Sequence, residues 1–302
     1  MKRIRYAFLV SLLFAALAAG CAPSIHLTDG LGTELTLPGP AARIVSLGAS
    51  NTEILFTIGA DDLLLGCDQF SDYPAEARSL AVISAGYGTL DVETITSLEP
   101  DLVLAAEIIS AEQVQAMRAL GLTVIYIANP TSLPEGLLAN IRTIGELTGR
   151  IDSAERQIAG LQSRFDAVAE RIAKTDNQPL VFFELDASDP ARPYTAGPGT
   201  FIDMLIGLAG GRNLGASLTS EWAQISAEEI FRLDPDIILL GDTAFGITVE
   251  SVADRPGWRN LTAVQHGAVF ALDSDLVLRP GPRMIDGLEI MADLLHPETA
   301  AG

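Results

Sequence analysis

Several reactive devices leave recognisable spacings in a sequence, and this 302-residue chain can be tested for each. Gly48-Ala49-Ser50 starts like the Gly-x-Ser-x-Gly turn that raises a serine nucleophile, but Thr52 stands where the closing glycine belongs. Neither a Walker phosphate loop nor a Gly-x-Gly-x-x-Gly dinucleotide turn occurs. The three histidines, His26, His266 and His296, are far apart and lack the helical or hairpin spacing of a zinc site. Acidic residues are abundant, yet no pair is spaced so as to single out a general acid and base. No catalytic residue, metal ligand set or resident cofactor is therefore expected, and an exported α/β hydrolase is left as an alternative without a nucleophile to carry it.

The first residues belong to targeting. Lys2, Arg3 and Arg5 precede YAFLVSLLFAALAAG, an apolar run too short to span a bilayer comfortably, so residues 1–20 read as an export signal. LAAGC resembles the lipobox at which a bacterial lipoprotein is cleaved and lipidated, which makes Cys21 the expected membrane anchor. Only Cys67 then remains as a thiol, so no intramolecular disulfide is available. Loss of three cations with the signal takes the net charge from −20 to −23. A surface this acidic repels nucleic acid and anionic lipid, and it suits a cationic partner.

Two halves follow the same grammar. ARIVSL, then Ser50-Asn51-Thr52-Glu53, then ILFTIG reads as strand, capping box, helix and glycine stop. PLVFFEL, Thr200, FIDMLIGLA and Gly210-Gly211 repeat it. The phrases EPDLVLA from Glu99 and DPDIILL from Asp234 lie at a constant offset of 135 residues, an internal duplication. In each copy Asp91 or Ser226 is placed to cap a short helix, Ile95/Leu98 or Ile230/Leu233 form its apolar face, and Pro100 or Pro235 ends it. The uninterrupted aliphatic strand that follows fits a sheet covered on both faces. Alternating strands and helices predict parallel βαβ units with right-handed crossovers, and so two Rossmann-like lobes.

Between them, residues 150–174 place apolar side chains at Ile151, Ala154, Ile158, Leu161, Phe165, Val168 and Ile172, alternating gaps of three and four. That is one continuous helical stripe, a rod of roughly 37 Å at about 1.5 Å per residue. The expected organisation is a signal at 1–20, an N-terminal lobe at 21–149, the connecting helix at 150–174 and a C-terminal lobe at 175–302. About three heptads, with a glycine among them, are short for a dimeric coiled coil, so a monomer is expected.

RIVSLGASNTEILFTIGADDLLLGC, SDYPAEA, DVETITSLEPDLVLA, the long helix and AGPGTFIDMLIGLAGGRNL together resemble the solute-binding proteins of ABC importers for cobalamin, haem and ferric siderophores. The resemblance covers nearly all of the mature chain. It implies an α/β fold of two lobes with parallel sheets, joined by one long α-helix, with the ligand in the cleft between them. It also implies that an exposed glutamate on each lobe, Glu93 and Glu228 here, docks on arginines of the dimeric membrane permease. Acidic residues in a first helical turn also favour the helix dipole, so both roles can hold at once.

Within that family the cobalamin branch is resembled at QFSDYPAEA through Phe70, at RPYTAGPG through Tyr194, and at SEWAQIS through Trp222. Tyr87, in the glycine-flanked SAGYGTLD, joins them as an implied ligand contact. Ala106-Glu107 departs from the pattern, since some members carry a further tryptophan there. The late loop DSDLVLRPGPRM brings Asp275, Arg279 and Arg283, of which Asp275 and Arg279 are expected at the ligand. An arginine facing the ligand favours carboxylate-bearing haem or a siderophore, and Tyr87 or Tyr194 could ligate haem iron. A corrinoid is the first expectation, with haem or a ferric siderophore as the alternative.

Overall fold

The two copies of the acid-Pro-Asp phrase take the same backbone shape. Glu99 and Asp234 have φ of 48° and 49° and are the only non-glycine residues with positive φ in the described chain. Each one breaks its helix with a left-handed residue, and the proline that follows prevents the helix from resuming. The closing aspartate ties the turn to a neighbouring strand. Asp101 accepts hydrogen bonds from the amides of Ala42 and Arg43 at 2.9 and 3.0 Å, and Asp236 accepts one from the amide of Leu180 at 2.7 Å. The phrase recurs because two sheets each need one helix stopped and one strand entered in register.

The computed structural model describes residues 24–83 and 90–299. The expected signal, Cys21 and Tyr87 lie outside the described residues. After an antiparallel ribbon of β1 (Ile25–Thr28) and β2 (Glu34–Leu37), the N-terminal sheet comprises β3 (Ile44–Leu47), β4 (Leu64–Cys67), β5 (Ala81–Val82), β6 (Leu102–Ala105) and β7 (Val124–Tyr126). Its order is β5-β4-β3-β6-β7, and every pairing is parallel. Helices α1 (Ala49–Thr57), α2 (Val92–Ser97), α3 (Ala111–Ala119) and α4 (Glu135–Thr148) connect and cover it.

The C-terminal sheet has the order β10-β8-β12-β13, again parallel, from β8 (Leu180–Glu184), β10 (Arg212–Asn213), β12 (Ile237–Leu240) and β13 (Val269–Ala271). A second ribbon pairs β9 (Tyr194–Ala196) with β11 (Trp222–Gln224). The lobe's helices are α6 (Phe201–Leu208), α7 (Ala227–Leu233), α8 (Val249–Asp254), α9 (Thr262–Gln265), α10 (Ser274–Val277) and α11 (Met284–Leu295). Strands β3, β6 and β12 are buried at every residue, as aliphatic strands under helices on both faces should be.

The joining helix, α5, runs from Ile151 to Ile172, about 33 Å at 1.5 Å per residue and slightly shorter than the expected 150–174. Ala154, Ile158, Leu161, Phe165 and Val168 are buried as the stripe predicts, but Ile151 is half exposed. Gly145 of α4 lets the two helices meet, since a side chain there would lie 2.5 Å from Cβ of Ala154. One apolar cluster runs without a break from Ile141 and Leu147 of the N-terminal lobe, through α5, to Leu205 and Leu288 of the C-terminal lobe. The rod shares its core with both lobes.

Asp91 and Ser226 cap their helices as expected, accepting from the amides of Thr94 at 2.9 Å and Glu229 at 3.2 Å. The capping box expected at Ser50 does not form. Helix α1 begins two residues earlier than that box requires, with Gly48 as an uncapped N-cap, so Ser50 lies inside the first turn. Glu53 turns away from the helix end to pair with Arg283, 230 residues later.

Candidate functional site

In an open parallel sheet, strands on either side of a reversal in order send their following loops apart and leave a crevice beyond their carboxyl ends. Each lobe has such a reversal. In the N-terminal sheet it falls between β3 and β6, followed by Gly48 and Ala106; in the C-terminal sheet it falls between β8 and β12, followed by Leu185 and Gly241. All four residues line one cavity of about 630 Å³ between the lobes. Ala106 and Gly241 are themselves 135 residues apart, so the duplication extends into the site.

Among the described residues, three aromatic side chains line the cavity. Phe70 follows β4 in a turn built by a buried chain of hydroxyls: Thr52 Oγ1 donates to Ser46 Oγ at 2.8 Å and lies 2.8 Å from Ser71 Oγ, which donates to Asp68 Oδ2 at 2.7 Å. The other oxygen of Asp68 accepts the amide of Phe70 at 2.8 Å, which fixes the turn. Tyr194 begins β9 and is 42 % exposed. Phe245, in the Asp242–Gly246 turn after β12, is 86 % exposed, the most open of the described large apolar side chains.

Trp222 is not among the lining residues. It lies on the face of the β9–β11 ribbon that carries Tyr194, with its ring edge-on to Phe201 at 5.7 Å between centroids. Sequence reasoning did not find Phe245. Its available signal was an aromatic beside a glycine in the loop that follows the second copy of the repeated strand.

Carboxylates dominate the polar part of the wall. Asp68, Glu107, Asp186 and Asp275 all line it, and Arg279 is the one basic residue in the described lining. Arg279 donates to Asp72 at 2.7 Å and pairs with Asp275 at 2.8 Å, so its charge is already shared. Burial raises the carboxyls of Asp68, Glu107 and Asp275 above their ordinary range, and the charge of Glu221 adds to the rise at Glu107. Burial alone would also raise Asp72, but Arg279 holds it low. Arg283 is the N-cap residue of α11, and its side chain grips Glu53 rather than capping that helix.

Glu93 and Glu228 are exposed, each the second residue of its short helix. These helices run back against the strands they feed, so both glutamates lie toward the carboxyl-end edge that carries the cavity. Neither has an ion-pair partner among the described residues. Glu229, by contrast, is taken by Arg232 at 2.5 Å.

Among the described residues no group of three or more histidine, cysteine, aspartate or glutamate side chains is placed to hold a metal ion. His296 is buried, with Nε2 3.3 Å from the carbonyl of Gly210. No described helix is long and apolar enough to cross a membrane.

Comparison with known proteins agrees with this geometry. The family described as "Periplasmic binding protein" matches residues 44–276. The chain is 33 % identical to the ABC transporter substrate-binding lipoprotein YvrC of Bacillus subtilis over 281 residues, covering 91 % of this chain and 86 % of that one. It is 32 % identical to a cobalamin-binding protein of Halobacterium salinarum over 286 residues, covering 92 % of this chain and 76 % of the other. Among solved structures, the periplasmic heme-binding protein RhuT of Roseiflexus sp. RS-1, in apo form, superposes with a TM-score of 0.75 at 28 % identity, covering 86 % of this chain and 99 % of that one. With its two parallel-sheet lobes and the cleft between them, the chain belongs to the periplasmic binding protein family, whose members hold a solute rather than transform it.

Proposed function

We propose that this chain is the substrate-binding lipoprotein of an ABC importer that captures a corrinoid between its lobes, releases it to a membrane permease and leaves it chemically unchanged. The observation that carries the corrinoid reading is the charge of the wall: among the described residues, four carboxylates against one arginine that is already shared. Haem brings two propionates and ferric catecholates bring a negative complex, and both would be repelled in such a cavity. A corrinoid presents primary amides around its rim, donors that match carboxylate acceptors. Its broad, partly apolar plane can be covered by Phe70, Tyr194 and Phe245, which bury much area at small entropic cost. One observation favours haem instead, namely the phenol of Tyr194 on the wall as a candidate iron ligand.

A direct test mixes the purified protein with cyanocobalamin, hemin or a ferric catecholate, removes free ligand and records the visible spectrum. Retention of the corrinoid alone is expected; retention of hemin with loss of the corrinoid would replace this reading with the haem one.

Glu93 and Glu228 are the docking contacts to the two permease copies, free of ion pairs among the described residues and on the edge that bears the cavity. Cys21 is the lipid anchor that keeps the protein at the outer face of the membrane, where it acts as a monomer without a resident cofactor. Replacing both glutamates with alanine should abolish uptake and leave ligand affinity intact. Unchanged uptake removes the docking role.

A further inference from the structure

Beside the cavity, charge bridges cross from one lobe to the other. Glu53 of α1 is 2 % exposed and receives both prongs of a guanidinium from the opposite lobe. Arg283 Nε donates to its Oε2 at 3.0 Å and Nη2 donates to its Oε1 at 2.6 Å. Arg279 makes a second crossing, donating to Asp72 at 2.7 Å while standing 3.9 Å from Glu53. The Arg283 guanidinium also lies 3.7 Å above the ring centre of Tyr73 in the N-terminal lobe. Gly281, between the two arginines, seats the loop on α1: a side chain there would lie 3.3 Å from Glu53 Oε2 and 3.5 Å from Cα of Ser50.

Stability does not require this arrangement, because the desolvation of a buried ion pair cancels much of its attraction. Its geometry is demanding all the same. A guanidinium fork accepts a carboxylate in one plane and at one distance. Two bodies joined along a single helix can rock about it, and a second fixed contact at another point removes that freedom. The helix α5 is the first attachment, and the Glu53 and Asp72 crossings provide the second.

We propose that Glu53–Arg283, with Asp72–Arg279 as a second strand, forms an interlobe clasp that sets the width of the cleft before any ligand arrives. Glu53 and Arg283 are thus positioning residues, which act on the ligand through the spacing of the two walls. The inference concerns the ligand-free protein and stands whether the ligand is a corrinoid or another chelate.

The test measures the distance between spin labels on unnatural amino acids at two exposed sites, Gln115 on α3 and Glu250 on α8, by pulsed electron paramagnetic resonance. The double variant Glu53→Gln/Arg283→Met removes both charges together and leaves no buried ion unpaired. Without ligand, its distance distribution should broaden and shift to larger separation than in the wild-type protein. Asp72→Asn, at a partly exposed site outside the buried pair, keeps a folded protein available and should broaden the distribution to a smaller degree. Saturating cyanocobalamin should restore the wild-type distance in the double variant, with apparent affinity reduced about tenfold, as expected when the competent spacing becomes a minor population. An unchanged ligand-free distribution in folded Asp72→Asn and in the double variant overturns the clasp. Failure of cyanocobalamin to bind the wild-type protein would instead count against the corrinoid reading, while the distance measurement still decides the clasp.

Discussion

Phe165 lies in the second half of the rod, and its replacement tests whether the two lobes share one core. The side chain is 4 % exposed and belongs to the apolar cluster that continues from α4 through α5 into α6 and α11. Truncating a buried phenylalanine to alanine costs about 3–5 kcal/mol, the lost transfer energy plus the unfilled cavity. For a chain of this size each kcal/mol shifts the melting temperature by about 2–4 °C, so Phe165→Ala should melt roughly 6–20 °C lower. Because the cluster spans both lobes, differential scanning calorimetry should show one transition moving as a whole. Ile151→Ala on the same helix, where the side chain is half exposed, serves as the control and should change stability by less than about 0.5 kcal/mol. Two separated transitions in Phe165→Ala, or a shift no larger than that of Ile151→Ala, would refute the shared core.

Phe245→Ala should leave the melting temperature unchanged, since the ring is 86 % exposed, and weaken cyanocobalamin binding by about 0.5–1.5 kcal/mol in isothermal titration, the value of one aromatic contact; equal affinity would exclude Phe245 from the ligand surface. Arg255→Met leaves the buried Glu184 without the guanidinium that pairs with it at 2.7 Å, and chemical denaturation should report a loss of about 3–5 kcal/mol. Burial alone would raise the carboxyl of Asp29, but the amides of Leu31, Thr33 and Tyr126 and the side chain of Arg118 hold it below the ordinary 3.8. Its stabilisation is therefore complete above 3.8 and is lost as pH falls through the lower folded value. In Asp29→Asn that part of the acid destabilisation should disappear, and an acid-unfolding curve identical to the wild type would show that Asp29 contributes nothing to it.

Much of the architecture was legible in the sequence because it is written in neighbouring residues. A cap, an apolar turn, an acid, a proline and an aliphatic run specify helix, break and strand within a dozen positions, and the phrase from Glu99 and its copy from Asp234 fold alike down to their left-handed φ. The three-four spacing of the rod is likewise a local periodicity, and the exception is Ile151, which stays half exposed. The cleft itself follows from strand order.

What only the tertiary structure decided involves partners far apart in the chain. Ser50-x-x-Glu53 satisfies the capping-box pattern, yet the desolvated carboxylate is better served by the Arg283 fork than by an amide of its own turn. Arg279 is drawn to Asp72 across 207 residues. The indole of Trp222 packs on Phe201, while Phe245, unremarked in the sequence, faces the cavity. Short-range preferences select each element, but the surroundings of a charged or aromatic side chain are set by how two separately coded lobes meet, and no local window contains that meeting.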